Sequence, residues 1–155
     1  MCGEVIVVLS PDAEEPSMPA DVGVRFARDA TPDRGPLAGV SAGLKAVDAD
    51  RALVAGGDMP DLQPAVLRVM LRAEHETGAD AVVLSEGGEG RPLPCVLRVG
   101  PVSGVVDTLL EGGRSSLHDV LGMVRAVVVD EPTWTALDPE RRTLFDVDEP
   151  RDVDR

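Results

Sequence analysis

The sequence predicts an α/β fold with a mostly parallel sheet, and three observations carry this prediction. Continuous apolar runs recur along the chain, beginning with EVIVVL at residues 4–9, and such runs are typical of strands covered on both faces. Segments with apolar residues at the helix period alternate with these runs. Turns rich in glycine and proline separate the two kinds of segment. Alternation of strands and helices favours parallel pairing through right-handed crossovers.

The individual elements follow from local patterns. Pro36 and Pro64 stand where the first turn of a helix tolerates proline, Asp61 is the expected cap of the second helix, and Gly78 ends it. The predicted strands are residues 4–9, 23–27, 51–55, 79–84, 94–99, 124–129 and 144–147. The predicted helices are residues 36–47, the segment from the Asp61 cap to Gly78, residues 102–110, and a short helix that Ser115 or Ser116 caps and that reaches Leu121.

Composition limits the classes of function. The chain has 155 residues, 43% of them apolar, which fits a single domain over residues 1–155 that needs no disulfide or structural metal to fold. The net charge of -13 disfavours nucleic acid and membrane surfaces as partners, but not a small phosphate ligand that carries a metal ion. Cys2 and Cys95 are the only cysteines, and no signal peptide or membrane span is recognised, so we expect a cytoplasmic protein.

The segment LVAGGDMP at residues 53–60 indicates a metal site. An apolar strand ends there in two glycines and Asp58, and ligands of parallel α/β sheets bind at the carboxyl ends of strands. Mg²⁺ is commonly held by one or two carboxylates together with phosphate oxygens. The alternative is that Asp58 only caps the next helix, but Asp61 is better placed for that cap. We therefore favour Asp58 as a ligand of a divalent cation.

Residues 29–39, DATPDRGPLAG, are a second candidate. Gly35 and Pro36 open a helix, and Gly39 follows in its first turn, which lets a ligand approach the backbone closely. Free amides at a helix start suit an anion or the edge of a base. Spacing alone favours a plain loop before a tightly packed helix, so the pattern leaves both interpretations open.

The acidic segment FDVDEPRD at residues 145–152 follows the last predicted strand. Because side chains alternate along an extended chain, Asp146 and Asp148 face opposite ways, and one of them could join Asp58 at a metal. On composition alone, an acidic solvated terminus is favoured. Arg114 and the two serines after it are interpreted as a helix start rather than an anion site.

Together these segments resemble the molybdenum cofactor guanylyltransferases, which belong to the nucleoside-triphosphate transferases with a Rossmann-like sheet. The segments that carry the resemblance occur in the family's order and are GPLAGVSAGL at 35–44, GGDMP at 56–60, RPLPCVLRV at 91–99, RSSLHDVL at 114–121 and FDVDEPRDV at 145–153. The resemblance covers nearly the whole chain. It implies a three-layer sandwich similar to that of the nucleotide-diphospho-sugar transferases.

The resemblance implies a magnesium-dependent transfer of GMP from GTP to the terminal phosphate of molybdopterin, with release of pyrophosphate. Asp58 would be the catalytic metal ligand. Asp148 matches the family's second metal-side position, where Asn is more frequent. The segment that faces guanine and ribose in the family would supply the nucleotide-binding residues Asp29, Gly35, Pro36, Leu37 and Gly39.

One part of the family's pattern has no match in this sequence. The family begins with a strand and a Gly-rich loop that cradles the triphosphate, whereas residues 4–9 match the family's second strand. We therefore expect an N-terminally incomplete sheet without its first strand, and weak GTP binding with a negligible rate of transfer by these 155 residues alone. An unfilled edge beside residues 4–9 favours homo-oligomers. Asp58 is expected at the end of a central parallel strand.

Two alternatives remain. A related transferase could move a cytidylyl group to molybdopterin, or a guanylyl group to a phosphorylated small acid, but GPLAG favours guanylyl transfer to molybdopterin. A non-catalytic nucleotide-binding relative could keep the sheet without the phosphate loop. Such a binder would not need the carboxylates of Asp58 and Asp148.

Overall fold

The computed structural model describes residues 3–19, 23–29 and 35–147, and the chain divides into two compact units. The first unit comprises Met1–Ala52 and Val99–Met123, and the second comprises Leu53–Arg98 and Val124–Arg155. Both units combine helices with strands, which confirms the predicted α/β class. The expectation of a single domain stays a prediction.

Strands and helices alternate along most of the described chain, as the sequence predicts. In chain order they are β1 (Val5–Leu9), β2 (Val24–Arg28), α1 (Pro36–Ala46), β3 (Arg51–Val54), α2 (Pro64–Thr77), β4 (Ala81–Glu86), β5 (Glu89–Arg98), α3 (Val99–Glu111), α4 (Leu117–Leu121), β6 (Ala126–Val129), α5 (Glu131–Thr135) and a 3-10 turn at Arg142–Leu144. None of the described helices has the length and apolar character that crossing a bilayer requires.

The sheet of the first unit is the parallel pair of β1 and β2. Helix α1 lies close to β1 because its glycines leave room for the strand. A Cβ on Gly43 would lie 3.3 Å from Val8 Cγ2. All five residues of β1 are apolar, yet none is fully buried, and Val5 is 38% exposed. Within the described ranges β1 pairs with β2 alone, which agrees with the expected unfilled edge.

A second sheet, most of which belongs to the second unit, has the strand order β3-β5-β4-β6. β4 pairs in parallel with β6 and antiparallel with β5. Gly87 and Gly88, both at positive φ, form the tight turn between β4 and β5. Trp134 of α5 is fully buried in the core of this unit, and its Nε1 donates to the Ser85 carbonyl at 2.8 Å.

Two predictions around Asp58 are wrong. β3, which leads to Asp58, is the outer strand of the four-stranded sheet and not a central one, and its side chains are accordingly exposed or half-buried. Asp61 does not cap α2, because the N-cap is Gln63, which makes no side-chain cap bond. The Gln63 amide instead donates to Thr143 Oγ1 at 3.2 Å, so a side chain from the far end of the sequence satisfies the helix start.

The predicted strand over residues 144–147 is also wrong. Asp138 accepts hydrogen bonds from the amides of Arg142 and Thr143 at 3.1 and 2.7 Å, and these bonds fold the chain into the 3-10 turn. Leu144 is buried in the core, but residues 145–147 continue without a strand partner among the described residues. The segment LFDV thus consists of one buried leucine followed by half-buried residues outside any strand.

Candidate active site

The Asp58 loop follows the carboxyl end of β3, as the sequence predicts. The amide of Met59 donates to the carbonyl of Gly56 at 3.3 Å, which closes a turn around Asp58. The Met59 side chain is part of the hydrophobic core, and its sulfur accepts from the Gly56 amide at 3.4 Å. A buried anchor directly after Asp58 therefore holds the loop, while Asp58 itself is exposed.

The carboxylate of Asp58 is available to a cation. It folds back over Gly56, so that a Cβ at Gly56 would overlap with Asp58 Oδ1, whereas a Cβ at Gly57 would meet nothing within 4 Å. In the described part of the chain, no side chain or amide hydrogen-bonds or ion-pairs with this carboxylate. Gly56 is therefore the residue whose missing side chain leaves space for the carboxylate.

The segment 145–147 returns to this loop. The amide of Val147 donates to the carbonyl of Asp58 at 2.8 Å. Asp146 Oδ2 accepts from Arg91 Nη2 at 3.2 Å, and Arg91 Nη1 lies 3.4 Å from Glu86 Oε2. Asp148, the second expected metal ligand, lies outside the described residues. The structure thus brings the two acidic segments together through Val147, the residue before Asp148 in the sequence.

A magnesium ion fits the donor chemistry of this loop. Over residues 3–19, 23–29 and 35–147, no three His, Cys, Asp or Glu side chains are grouped to hold a metal. Magnesium sites that bind nucleotides do not need such a group, because one or two carboxylates act together with phosphate oxygens and water. The exposed carboxylate of Asp58 offers one such ligand, and the role of Asp148 stays a prediction.

The start of α1 is partly occupied by the protein itself. Gly35 is the N-cap and has a φ of 74°, and a Cβ there would lie 3.1 Å from Ser115 Cβ. The amide of Leu37 donates to the Ser115 carbonyl at 3.3 Å. The sequence predicts free amides at this helix start, but the Leu37 amide is already hydrogen-bonded within the first unit.

The other α1 residues expected to bind nucleotide differ in exposure. Leu37 is fully buried, and a Cβ on Gly39 would lie 4.0 Å from Val8 Cγ1, so this glycine faces β1. Gly35 and Pro36 are exposed. Leu37 and Gly39 therefore have packing roles, and the contact of any of the four with a nucleotide stays a prediction.

Asp29 lies where β1 and β2 both end. Its side chain is half-buried, and its amide donates to the Leu9 carbonyl at 2.8 Å, which joins the two carboxyl ends. The neighbouring Arg28 is engaged by the loop after β1. Its guanidinium donates to the carbonyls of Ser10, Pro11 and Ala13. Arg28 is therefore a structural clamp for that loop, and the role of Asp29 toward a nucleotide stays a prediction.

Arg114 and Ser116 form a helix start, as interpreted from the sequence. Ser116 caps α4 by accepting a hydrogen bond from the His118 amide at 3.2 Å. Arg114 donates to both carboxylate oxygens of Asp119, at 2.9 and 2.6 Å, and this contact holds the pKa of Asp119 below its usual value. The guanidinium of Arg114 is thus committed to α4.

Sequence reasoning did not assign a role to Arg91. Its acceptor Asp146 is 55 positions away, so no local pattern connects the two residues. The contact with Glu86 could have been foreseen, because an antiparallel hairpin with its turn at the two glycines would bring these positions near each other.

Solved structures define the class of this fold. Molybdopterin-guanine dinucleotide biosynthesis protein A from Archaeoglobus fulgidus is similar with a TM-score of 0.71 and 22% identity, over 84% of this chain and 65% of that chain. 2-C-methyl-D-erythritol 4-phosphate cytidylyltransferase from Thermus thermophilus is similar with a TM-score of 0.70 and 19% identity, over 97% of this chain and 79% of that chain. The chain therefore shares the fold of these two proteins, in agreement with the fold that the resemblance implies.

Sequence comparison identifies the family. Residues 1–133 match the MobA-like NTP transferase domain, and the chain belongs to this family. Proteins named probable molybdenum cofactor guanylyltransferase are 31% identical over 156 residues in Chloroflexus aggregans and 31% identical over 130 residues in Natronomonas pharaonis. These alignments take in 99% and 84% of this chain and 72% and 63% of the two relatives. The chain thus spans about two thirds of the length of these relatives.

Proposed function

We propose that this chain serves the transfer of GMP from GTP to the terminal phosphate of molybdopterin, which yields the guanine dinucleotide form of the cofactor and pyrophosphate. Membership of the MobA-like family and the names of the relatives support the reaction class. The observation that carries the proposal is the exposed carboxylate of Asp58, which has no partner in the described part of the chain and stands on a loop anchored by Met59.

The proposed chemistry suits a site with few functional side chains. An oxygen of the molybdopterin phosphate forms a bond to the α-phosphorus of GTP, the bond from that phosphorus to the bridging oxygen breaks, and pyrophosphate leaves. The attacking oxygen is already an anion, so no strong general base is needed. Positioning of the reactants and neutralisation of charge then dominate the rate.

Asp58 and Asp148 are the residues that would hold magnesium. The ion would offset the negative charge of the triphosphate that builds up in the transition state. This compensation matters here because the chain itself carries a net charge of -13, which repels a nucleoside triphosphate. Asp58 would supply one ligand of the ion from a loop that is held by the core and by Val147.

We assign the guanine and ribose to the segment of Asp29, Gly35 and Pro36, which includes the exposed start of α1. Gly35 and Pro36 are both exposed, and Pro36 presents a rigid apolar surface to a planar base. Leu37 and Gly39 support this segment by packing. The family resemblance supports GTP as the nucleotide, magnesium as the ion and the cytoplasm as the location.

A transfer assay tests this function. The 155-residue chain is incubated with molybdopterin, magnesium and either GTP or CTP, and both dinucleotide and pyrophosphate are quantified. We expect a small amount of product with GTP, in keeping with the negligible rate expected of these residues alone, and loss of that product in Asp58→Asn but not in Asp61→Asn, an exposed aspartate three positions downstream. Product with CTP alone would favour cytidylyl transfer, and equal product from the Asp58→Asn variant would refute the role of Asp58.

A further inference from the structure

Arg91 lies between two carboxylates at the end of the β4–β5 hairpin. One guanidinium nitrogen, Nη2, donates to Asp146 Oδ2 at 3.2 Å, and the other, Nη1, lies 3.4 Å from Glu86 Oε2. All three side chains are between one third and two fifths exposed, with values of 39% for Arg91, 37% for Glu86 and 34% for Asp146. The arginine therefore connects the hairpin to the segment that leads to the Asp58 loop.

The chain before Asp146 is held by other means. Asp138 fixes the 3-10 turn through two amides, Thr143 accepts from the Gln63 amide, and Leu144 is buried in the core. The amide of Phe145 also donates to the Arg142 carbonyl at 3.0 Å, and these anchors end there. Residues 146 and 147 are not part of a strand, so their position depends on individual contacts such as those of Asp146 and Val147.

We infer that Arg91 is a positioning residue of the Asp58 site. By holding Asp146 against the hairpin, its guanidinium fixes the chain one residue before the Val147 amide, which donates to the Asp58 carbonyl. This role rests on the proposed function, because the site it serves is the proposed magnesium site. Arg91 acts through Asp146 and Val147.

The electrostatics of the contact support this role. Glu86 and Asp146 both approach the same guanidinium, so the loss of its charge would leave two carboxylates in one small region. Like charges repel each other, and Asp146 lies on a segment without strand pairing, whereas Glu86 lies in β4. Movement of Asp146 would pull on Val147 and loosen the Asp58 loop. Lysine would keep the charge but lose the planar fork that reaches both carboxylates.

Amide hydrogen exchange at Val147, followed by NMR, is the readout that tests the inference without depending on activity. We expect exchange in Arg91→Gln to be about threefold to fivefold faster than in the wild type. A change of this size corresponds to the loss of one partly exposed ion pair. Arg91→Lys should fall between the two. The matched control is Arg98→Gln, on the same strand, whose guanidinium lies 3.9 Å from Asp80 and 4.0 Å from Glu74. This variant should leave the Val147 amide unchanged.

A second readout is the affinity for Mn²⁺ with GTP, measured on the same variants together with their thermal midpoints. We expect Arg91→Gln to weaken Mn²⁺ binding by a similar factor. The double variant Arg91→Gln, Asp146→Asn should recover part of the lost Mn²⁺ affinity, because the two side-chain amides can hydrogen-bond to each other without charge. Unchanged Val147 exchange in Arg91→Gln would overturn the inference even if the wild type binds Mn²⁺ and GTP. Faster exchange in a protein that binds neither would support the positioning role and refute the proposed function.

Discussion

The amide of Val147 donates a hydrogen bond of 2.8 Å to the carbonyl oxygen of Asp58. This bond joins the loop after β3 to the last described segment of the chain and uses only backbone atoms. The carboxylate of Asp58 is therefore left available while its loop is held on both sides, by Val147 and by the buried Met59. A metal ligand fixed in this way loses little conformational freedom on binding.

Gly56→Ala should displace the Asp58 carboxylate. A methyl group at this position overlaps with Asp58 Oδ1, so the side chain of Asp58 must rotate away. We expect weaker Mn²⁺ binding with almost unchanged thermal stability, because the displaced atom is the end of a flexible side chain. Gly57→Ala is the matched control, since its added methyl meets nothing within 4 Å. Equal Mn²⁺ affinities for the two variants would contradict the proposed position of the carboxylate.

Gly35→Ala should destabilise the first unit by about 1–2 kcal/mol, the cost of an unfavourable backbone conformation. Gly35 has a φ of 74°, and its Cβ would lie 3.1 Å from Ser115 Cβ and 3.2 Å from the Ser115 carbonyl oxygen. Gly104→Ala, in the exposed middle of α3, should instead stabilise the protein by about 0.5–1 kcal/mol through helix propensity. Urea unfolding measures both changes, and the same sign for both variants would be evidence against this account.

Asp138 should make stability fall in acid. Burial acts to raise the pKa of Asp138, but the hydrogen bonds from Thr143 and Arg142 outweigh it and hold the pKa below its ordinary value. A carboxyl whose folded pKa is lowered stabilises the protein above its unfolded pKa of about 3.9, and this contribution is lost as the pH falls through the folded pKa. Asp138→Asn should therefore cost about 1.5–3 kcal/mol at pH near 7 and less at pH near 3.

The measurement is the free energy of unfolding of wild type and Asp138→Asn at both pH values. Asp12→Asn, at an exposed position, is the control and should change stability little at either pH. A difference between wild type and Asp138→Asn that is the same at both pH values would show that the charge of Asp138 is not what stabilises the 3-10 turn.

The edge of β1 should promote self-association. β1 is entirely apolar, pairs only with β2 among the described strands, and exposes 38% of Val5. We expect sedimentation velocity to show larger species as the concentration rises, and Val5→Lys to reduce them, because a charge on an edge strand opposes pairing. Leu137→Lys, at an exposed apolar residue outside the strands, should have no such effect. A wild type that stays monomeric at high concentration would contradict this prediction.

The fold could be predicted from the sequence where the pattern is local. The start of α1 at Pro36 and the end of α2 before Gly78 follow from proline and glycine chemistry, and both agree with the structure. The antiparallel direction of β5 was not predicted, because an apolar run has no direction, although the Gly87–Gly88 pair before it is a local signal of a hairpin. Helix α5 was also missed, since its five residues are too short for a helical period.

The candidate site could be predicted only in part. The place of Asp58 after β3 followed from the glycines and the strand before them. The prediction that Asp61 caps α2 was wrong because the helix starts after Gln63. The Gln63 amide donates to Thr143, which lies 80 positions away in the sequence. The contacts of Arg91 and Val147 are equally long-range, and tertiary contacts of this kind leave no mark in a local pattern.

The most direct test of the central claim is the binding of Mn²⁺ in the presence of GTP, measured by electron paramagnetic resonance on wild type, Asp58→Asn and Asp61→Asn. The account predicts that Asp58→Asn weakens metal-dependent binding by about tenfold or more, because a charged ligand of the ion is lost, while Asp61→Asn stays within about twofold of the wild type. An Asp58→Asn variant that binds Mn²⁺ and GTP as tightly as the wild type would contradict the account.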